Sequence, residues 1–510
     1  MHSFILEIFS EEIPAKLQID SLYKFKEVLS KFLLGDIQAV VSPRHMCFFI
    51  KNLQLNQKIL IKGPKINANL NAIEGFLKKY NAQRSDLIEK DGVFFLDKII
   101  SIEDILHENI LKAFSEMTWP NSMMWNNHSL RWIRPIHSIL CMLNEQVLPI
   151  QLEHIKASNV TYGHRSHQSK KIVLKRANFD DYCNALKEVD VIVSQNERRQ
   201  LIESQIEELV RPLNLTLLKD EKLLDEIVGL VENPYVLLGK IDEEFMYLPK
   251  EILITTLKNN QKYLLLQNAN QELASYFIIV SDIIPKDNGE TIISGNEKVL
   301  KARLSDAQHF MKSDLQIPFS KYSEKLTKIQ FHKDIGNMQE KVIKMNEIAE
   351  DLCNQLNIDF HDIRTAISLC KNDLVTQMVS EFPELQGIVG YYYALHNQEN
   401  ETTAKAIRDH YKPVGPKDSL PEMIAGCIVA ISDKLHTLQS FFNIGIKPTS
   451  TKDPYALRRA AIGILRIISE NNILHKIKLR VSTDLRNFIL ERAKHMNADM
   501  LLMQSVIVTS

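Results

Sequence analysis

Four stretches of this 510-residue chain set side chains where they could do chemistry. Asn372-Asp373 and Asp433, with His410 or His361 as further donors, carry oxygen and nitrogen ligands of the kind a water-activating metal needs. Gly163-His164-Arg165-Ser166-His167 holds two imidazoles three residues apart, but no carboxylate or thiolate cluster stands near them in sequence. A loop whose histidines and arginine bond to backbone or to an anion is the simpler reading. Glu11-Glu12 could form an acid/base pair, yet adjacent acids at a helix start are ordinarily capping residues, held there by the helix dipole. Arg131-Trp132-Ile133-Arg134 interleaves guanidinium and indole, a composition that can clamp or stack a nucleotide, or that sets a core tryptophan between surface arginines.

Positive charge supplies a further set of candidates. Lys258 and Lys262 follow Leu248-Pro249-Lys250-Glu251 and Thr255-Thr256, just ahead of an apolar strand from Tyr263. Lys298 and Lys301 lie on the exposed faces of an amphipathic helix expected from Ser294 to Asp314, with Leu300, Leu304, Ala307 and Met311 as its apolar stripe and Ser294 with Glu297 as its capping pair. Arg458, Arg459 and Arg466 fall on a helix after Asp453-Pro454, in which Asp453 caps, Pro454 takes the first helical position, and Leu457, Ala461, Ile464 and Ile468 point inward. From Lys452 to Lys494 ten Lys and Arg stand against four acids, a local charge of +6 in a chain whose net charge is −1. That segregation suits a polyanion meeting one end of the molecule.

The elements that must position these groups change character along the chain. Ser3 to Phe9 and Val40 to Ile50 read as strands, with a helix from Pro14 towards Leu33 between them; Ala68 to Tyr80 and Ile102 to Phe114 are helical, and Asp91-Gly92 parts two short β-prone runs. Past the central helix, Lys321 to Gln355 and Ile363 to Phe382 read as consecutive helices. The fold class is therefore α+β and multi-domain. The expected divisions are an N-terminal α/β region over 1–165, an α+β region over 166–320, a helical domain over 321–480, and the start of a further helical domain over 481–510. The length calls for more than one core, and 16 Gly with 17 Pro leave no room for a long flexible linker. Six cysteines (Cys47, Cys141, Cys183, Cys353, Cys370, Cys427) without a CxxC pair argue against a zinc ribbon or a disulfide framework and fit a reducing cytoplasm. A basic leader and an apolar run of bilayer length are both lacking, so neither secretion nor membrane spanning is expected.

No phosphate-binding GxxxxGK[ST] loop, GxGxxG turn, HExxH or nucleophile elbow occurs, nor do the adenylate-forming motifs of either synthetase class. Cys370-Lys371-Asn372-Asp373-Leu374 and Ile431-Ser432-Asp433-Lys434-Leu435 resemble the second and last metal stations of HD-type phosphohydrolases, but Asn372 stands where that family has the dipeptide histidine, and the resemblance therefore implies the loss of a principal ligand and no active metal hydrolysis. A longer, collinear set resembles the β subunit of the bacterial heterotetrameric glycyl-tRNA synthetase. It begins with Leu6-Glu7-Ile8 and Glu11-Glu12-Ile13-Pro14-Ala15-Lys16, then Ser42-Pro43-Arg44, Lys62-Gly63-Pro64, Arg134-Pro135-Ile136, Gly163-His164-Arg165 and Leu248-Pro249-Lys250-Glu251. It continues through Ile254-Thr255-Thr256, Gln261-Lys262-Tyr263, Gly295-Asn296-Glu297-Lys298-Val299-Leu300 and Glu381-Phe382-Pro383-Glu384-Leu385-Gln386-Gly387. It ends with Asp433-Lys434-Leu435, Lys452-Asp453-Pro454 and Leu457-Arg458-Arg459-Ala460.

The resemblance covers roughly residues 1 to 495. It implies a non-catalytic, tRNA-binding subunit whose α partner carries the class II active site and uses ATP and Mg, with no cofactor bound by this chain and no catalytic residue or metal on it. The complex implied is an α2β2 tetramer acting on tRNA(Gly), with no membrane. The architecture implied is a β-containing N-terminal half with a module similar to the B3/B4 region of phenylalanyl-tRNA synthetase, a degenerate HD-like helical domain (Asn372, Asp373, Asp433), and a C-terminal helical anticodon-binding domain. Residues 496–510 match poorly, so this last domain is expected to be incomplete, with nothing to cover an apolar stripe of Leu485, Phe488, Ile489 and Ala493. Two other classes stay open on the residues: a metal-dependent HD-type phosphohydrolase and an RNA-binding scaffold.

Overall fold

The computed structural model describes residues 2–54, 56–120, 122–125, 129–167, 170–449 and 452–509; for residues 56–59, 97–105 and 167 the description is of the backbone. His167 as a side chain, and Ser450-Thr451 before the basic helix, therefore lie outside it. The chain is a mixture of sheets and helices that divides into two compact units, residues 1–240 with 262–297, and residues 241–261 with 298–510.

The first unit is organised on the strand His2–Ser10. Its seven-stranded sheet runs in the order Gln151–Leu152, Ile155–Ser158, Ile136–Leu143, His2–Ser10, His45–Leu53, Ile37–Val41, with Gln146–Val147 on Ile136–Leu143. Both faces are covered. Alternation sends Phe4, Leu6 and Ile8 into a core with Phe25, Phe48, Phe114 and Trp132, and Ile5 into another with Cys47, Leu140, Tyr182 and Leu186. A strand buried on both sides reads as a continuous apolar run, and Glu7 is the one charged residue within it. A four-stranded sheet ordered Thr216–Leu217, Leu264–Gln267, Leu273–Ser281, Tyr235–Lys240 packs on the helices Gln195–Val210 and Glu221–Val228. The hairpin across Asp91-Gly92 belongs to a third sheet, of Asn56–Lys65, Val93–Ser101 and Leu87–Lys90. The expected strand from Val40 to Ile50 is two antiparallel strands, because Ser42-Pro43-Arg44 turns the chain back on itself.

The second unit is helical around Ile424–Asn443, which buries residues on every face and is wrapped by Met338–Leu356, Glu401–Asp409 and Leu457–Ser469. Its core also takes Leu457, Ala461, Ile464 and Ile468, as their spacing requires. Three local readings change. The amphipathic helix starts earlier, at Glu290, so Ser294 and Glu297 lie inside it; Glu297 instead accepts the backbone N–H of Lys240 at 2.8 Å. Pro454 lies outside its helix, which begins at Leu457; Asp453 still caps, reaching forward to the N–H groups of Leu457 and Arg458 at 2.9 Å each. Lys321 to Gln355 is a 3-10 segment (Phe319–Lys328), a small hairpin, and the helix Met338–Leu356, because Asn337 and Glu340 form a reciprocal cap that sets a fresh helix start.

The expectation of an uncovered C-terminal stripe is overturned. Leu485, Ile489 and Ala493 of the helix Thr483–His495 are fully buried, and Met503, Val506 and Ile507 join the same core. The chain achieves this by returning as the helix Met500–Val506 and the strand Ile507–Thr509, which pairs in parallel with Leu479–Val481.

Candidate functional site

Two polar centres stand out, one in each unit. In the first, four of the sequence motifs meet at the end of His2–Ser10. Backbone bonds stitch them together: Ser10 N–H donates to Arg44 O (2.9 Å), Glu11 N–H to Pro135 O (2.9 Å), and Ile13 N–H to Pro43 O (2.7 Å). Glu11 accepts from His137 Nε2 at 2.8 Å, which is the main reason its carboxyl lies below its usual range. Glu12 pairs with Arg165, and Arg134 Nε donates to the Glu12 carbonyl at 3.1 Å. The acids are therefore not caps. Helix Ala15–Ser30 starts behind Pro14 with no side-chain cap and no acid in its first turn, so Glu11 and Glu12 are released to bind across the sheet.

Beneath this surface runs a buried chain of charges. His45 directs Nδ1 at Glu232 Oε1 (3.0 Å) and Nε2 at the Tyr162 carbonyl (2.9 Å). Both targets are acceptors, so both ring nitrogens carry protons and His45 is an imidazolium. Burial opposes its charge, but Glu232 more than compensates and the pKa is raised. Burial likewise pushes Glu232 up, against the charge and bonds of His45 and the bond from Ser42 Oγ (2.7 Å), and the outcome is about 2. Asp282 extends the chain, accepting the Asn233 N–H at 3.1 Å and binding His164 Nε2 at 2.9 Å. His164 is thus held by a carboxylate that no local pattern announces. Glu7, fully buried, accepts Thr161 Oγ1 at 2.7 Å.

In the second unit, Asp373 and Asp433 lie among lysines. Lys371 Nζ is 2.9 Å from His410 Nε2 and 3.2 Å from Asp433 Oδ1, and Lys341 Nζ is 3.0 Å from the same oxygen. Lys434 Nζ donates to the carbonyls of His410, Tyr411 and Lys412 at 3.3, 3.1 and 2.9 Å. Burial lowers Lys434 to about 8 and raises Asp373 to about 6, while the Asp433 carboxyl, opposed by burial but surrounded by ammonium groups, lies well below its usual range. Asn372 donates to Phe319 O and Ser323 Oγ, both at 2.9 Å, and so faces away from any shared centre. Gly387, at φ +82°, directs its N–H at Asp373; a Cβ there would lie 3.1 Å from the Arg408 carbonyl. His361 caps no such centre either: it begins the helix His361–Leu369. Lys341 carried no sequence signal, and Lys371 was singled out only as part of the Cys370-Lys371-Asn372-Asp373-Leu374 motif.

The basic candidates are divided between the two units. Arg131, Arg134 and Lys262 belong to the first unit, and Lys258, Lys298, Lys301, Arg458, Arg459 and Arg466 to the second. Arg131, Lys298 and Arg459 present exposed side chains. Trp132 beside Arg131 is a core residue, ringed by Phe25, Phe114 and Trp119 at 5.8, 5.4 and 4.8 Å, so it offers no stacking face. Lys262 meets Glu226 at 3.2 Å, and Lys301 meets Asp242 at 2.6 Å. Lys258 sits half-buried in a π-helical turn, Thr256–Asn260. Arg458 bonds the Thr449 carbonyl, and Arg466 the Gly415 carbonyl at 3.1 Å with Glu470 at 3.6 Å.

Several sheets, a large helical core and two closed polar centres define a mixed α/β protein of more than one unit, built on scaffolding charges. The chain belongs to the glycyl-tRNA synthetase beta subunit family, whose model matches residues 4–507. It is 40% identical over 509 residues to the glycine--tRNA ligase beta subunit of Rickettsia bellii (strain OSU 85-389), covering 97% of this chain and 76% of that one. The corresponding subunits of Rickettsia felis (strain ATCC VR-1525 / URRWXCal2) and Rickettsia canadensis (strain McKiel) are each 40% identical, over 93% and 97% of this chain and 73% and 74% of theirs. The family match runs past residue 495 to residue 507, so it takes in most of the segment from Met496 that resembles the family poorly in its motifs. Among the described residues, no helix is long and apolar enough to cross a membrane.

Proposed function

We propose that this chain is the tRNA-binding β subunit of a glycine--tRNA ligase, working with an α subunit that activates glycine with ATP and Mg and joins it to tRNA(Gly). The observation that carries this reading is the family match that extends from residue 4 to 507. The chain itself is non-catalytic and binds no cofactor in this reading, and the working assembly is a cytoplasmic α2β2 heterotetramer. The domain scheme set out from the sequence (1–165, 166–320 with the B3/B4-like module in the first half, a degenerate HD-like region over 321–480, and an anticodon-binding region from 481) is part of the same proposal.

RNA contact falls to the basic side chains. Arg131, Lys298 and Arg459 are the first candidates because they are exposed. Arg134, Lys258, Lys262, Lys301, Arg458 and Arg466 have bonds or burial of their own to give up, and are second. The deciding experiment mixes the chain with its α subunit and measures glycylation of tRNA(Gly), with each subunit alone as control. Charging is expected only with both. Glycine-dependent ATP–pyrophosphate exchange by this chain alone would overturn the non-catalytic assignment, and failure to co-purify with α at low salt would count against the complex.

A further inference from the structure

Around Lys371 the helical unit assembles the ligands of a cation and fills the position from its own chain. The ammonium lies against an imidazole nitrogen, a carboxylate oxygen and, at 4.0 Å from the ring centroid, the face of Tyr411. A lone pair, a negative charge and a π face are what a desolvated cation requires. The imidazole is fixed as an acceptor at Nε2, because its Nδ1–H donates to the Ile407 carbonyl at 2.6 Å and Nε2 faces the Lys371 ammonium, which can only donate. His410 and Lys371 are buried, so water does not take the place of the bond between them, and Tyr411 is partly buried beside them.

A divalent metal does not fit the same donors. It would face the ammonium groups of Lys341 and Lys371 on the one oxygen, Asp433 Oδ1, with Lys434 beside them, and hard or borderline metals need several anionic or neutral donors in place of neighbouring cations. Asn372 is spent on Phe319 and Ser323. Among the described residues, no three His, Cys, Asp or Glu side chains gather in a way that could hold a metal.

We propose that the Lys371 ammonium is the resident cation of this core, occupying the place of a metal ion and making the stability of the helical unit independent of divalent metals. The proposal goes beyond RNA binding and does not rest on it. It follows that charge at position 371 matters more than bulk, and that a small alkylammonium ion is the ligand class the emptied position would accept.

Thermal unfolding of the full chain, of Lys371→Met and of Lys371→Ala would test this in EDTA, in Mn2+ or Zn2+, and in methylammonium chloride. The wild-type midpoint should move by less than about 1 °C between chelator and metal. Lys371→Met, which keeps the chain length and loses the charge, should melt roughly 10 °C lower, the shift expected when a buried ion pair loses one partner. Lys371→Ala should regain part of its loss in methylammonium, measured against tetramethylammonium at equal ionic strength, and none in Mn2+ or Zn2+. Stoichiometric divalent metal in the wild-type protein, a midpoint that falls on chelation, or a Lys371→Met protein that melts with wild type would each overturn the proposal. Should neither variant fold, elemental analysis and the chelator melt of the unsubstituted chain decide it.

Discussion

The two units bury charge in opposite ways. In the first, His45 and Glu232 form a matched pair, each holding the other ionised, and the surrounding Ser42 and Tyr162 groups bond the charged forms. In the second, three lysines outnumber the fully ionised carboxylate Asp433. Burial is then relieved at the margins: Lys434 falls to about 8, Asp373 rises to about 6, and His410 is held neutral. A balanced pair can lock turns together, as it does for Ser42-Pro43-Arg44. A cation-rich cluster depends on its single strong anion, and so concentrates its vulnerability there.

Breaking that anion should have the largest effect. Asp433→Asn leaves Lys341 and Lys371 facing one another without a counter-charge and should cost about 3–5 kcal/mol, read from the urea midpoint. Glu232→Gln, which keeps an acceptor for Ser42 and removes one member of a balanced pair, should cost less, about 2–3 kcal/mol. A larger loss for Glu232→Gln would reverse the contrast. A purely apolar control spans both ranges: Leu485→Ala should cost about 2–5 kcal/mol, because it shares a closed core with Met503 and Val506. Amide exchange across Thr483–His495 should accordingly be slow, and fast exchange from Thr483 onward would contradict the burial of this helix.

The contrast also has a pH signature. Glu232, at about 2 when folded against about 4.3 unfolded, contributes stability that is present above pH 4.3 and lost as pH falls towards 2. His45, raised, contributes stability that is complete below about pH 6.5 and lost as pH rises through its folded value. Asp373 has the opposite slope from Glu232. With a folded value of about 6 against about 3.9 unfolded, it costs stability as pH rises through that window and restores it as pH falls. Site-resolved exchange between pH 6 and 4 should therefore show the helical unit gaining protection, and Asp373→Asn should abolish the gain.

The smallest expected effects concern the exposed cations. If Arg459 contacts RNA phosphate, Arg459→Ala should lower the salt slope of tRNA binding by about one unit while leaving the melting temperature unchanged. Arg466→Ala should lower the melting temperature and change the salt slope less than Arg459→Ala does, since its guanidinium is committed to Gly415 and Glu470. A salt slope unchanged in Arg459→Ala would give this arginine a role other than phosphate contact.

What the sequence determined by itself was local and periodic. The strand at the N-terminus, the inward face of Leu457, Ala461, Ile464 and Ile468, the hairpin at Asp91-Gly92 and the capping role of Asp453 all follow from neighbours within a few residues, where backbone geometry dictates which side chains share a face. The order of short motifs along the chain was likewise enough to point to the family. The partners of the polar groups were decided only by tertiary structure. His45 meets Glu232 across 187 residues, His164 meets Asp282 across 118, and Lys371 meets His410 across 39. Glu11 and Glu12, read as caps from their position, turned to His137 and Arg165 once the sheet brought those residues alongside. The reason is that a buried charge is satisfied by whatever the topology delivers within about 4 Å, and the spacing of residues in sequence carries no record of that distance.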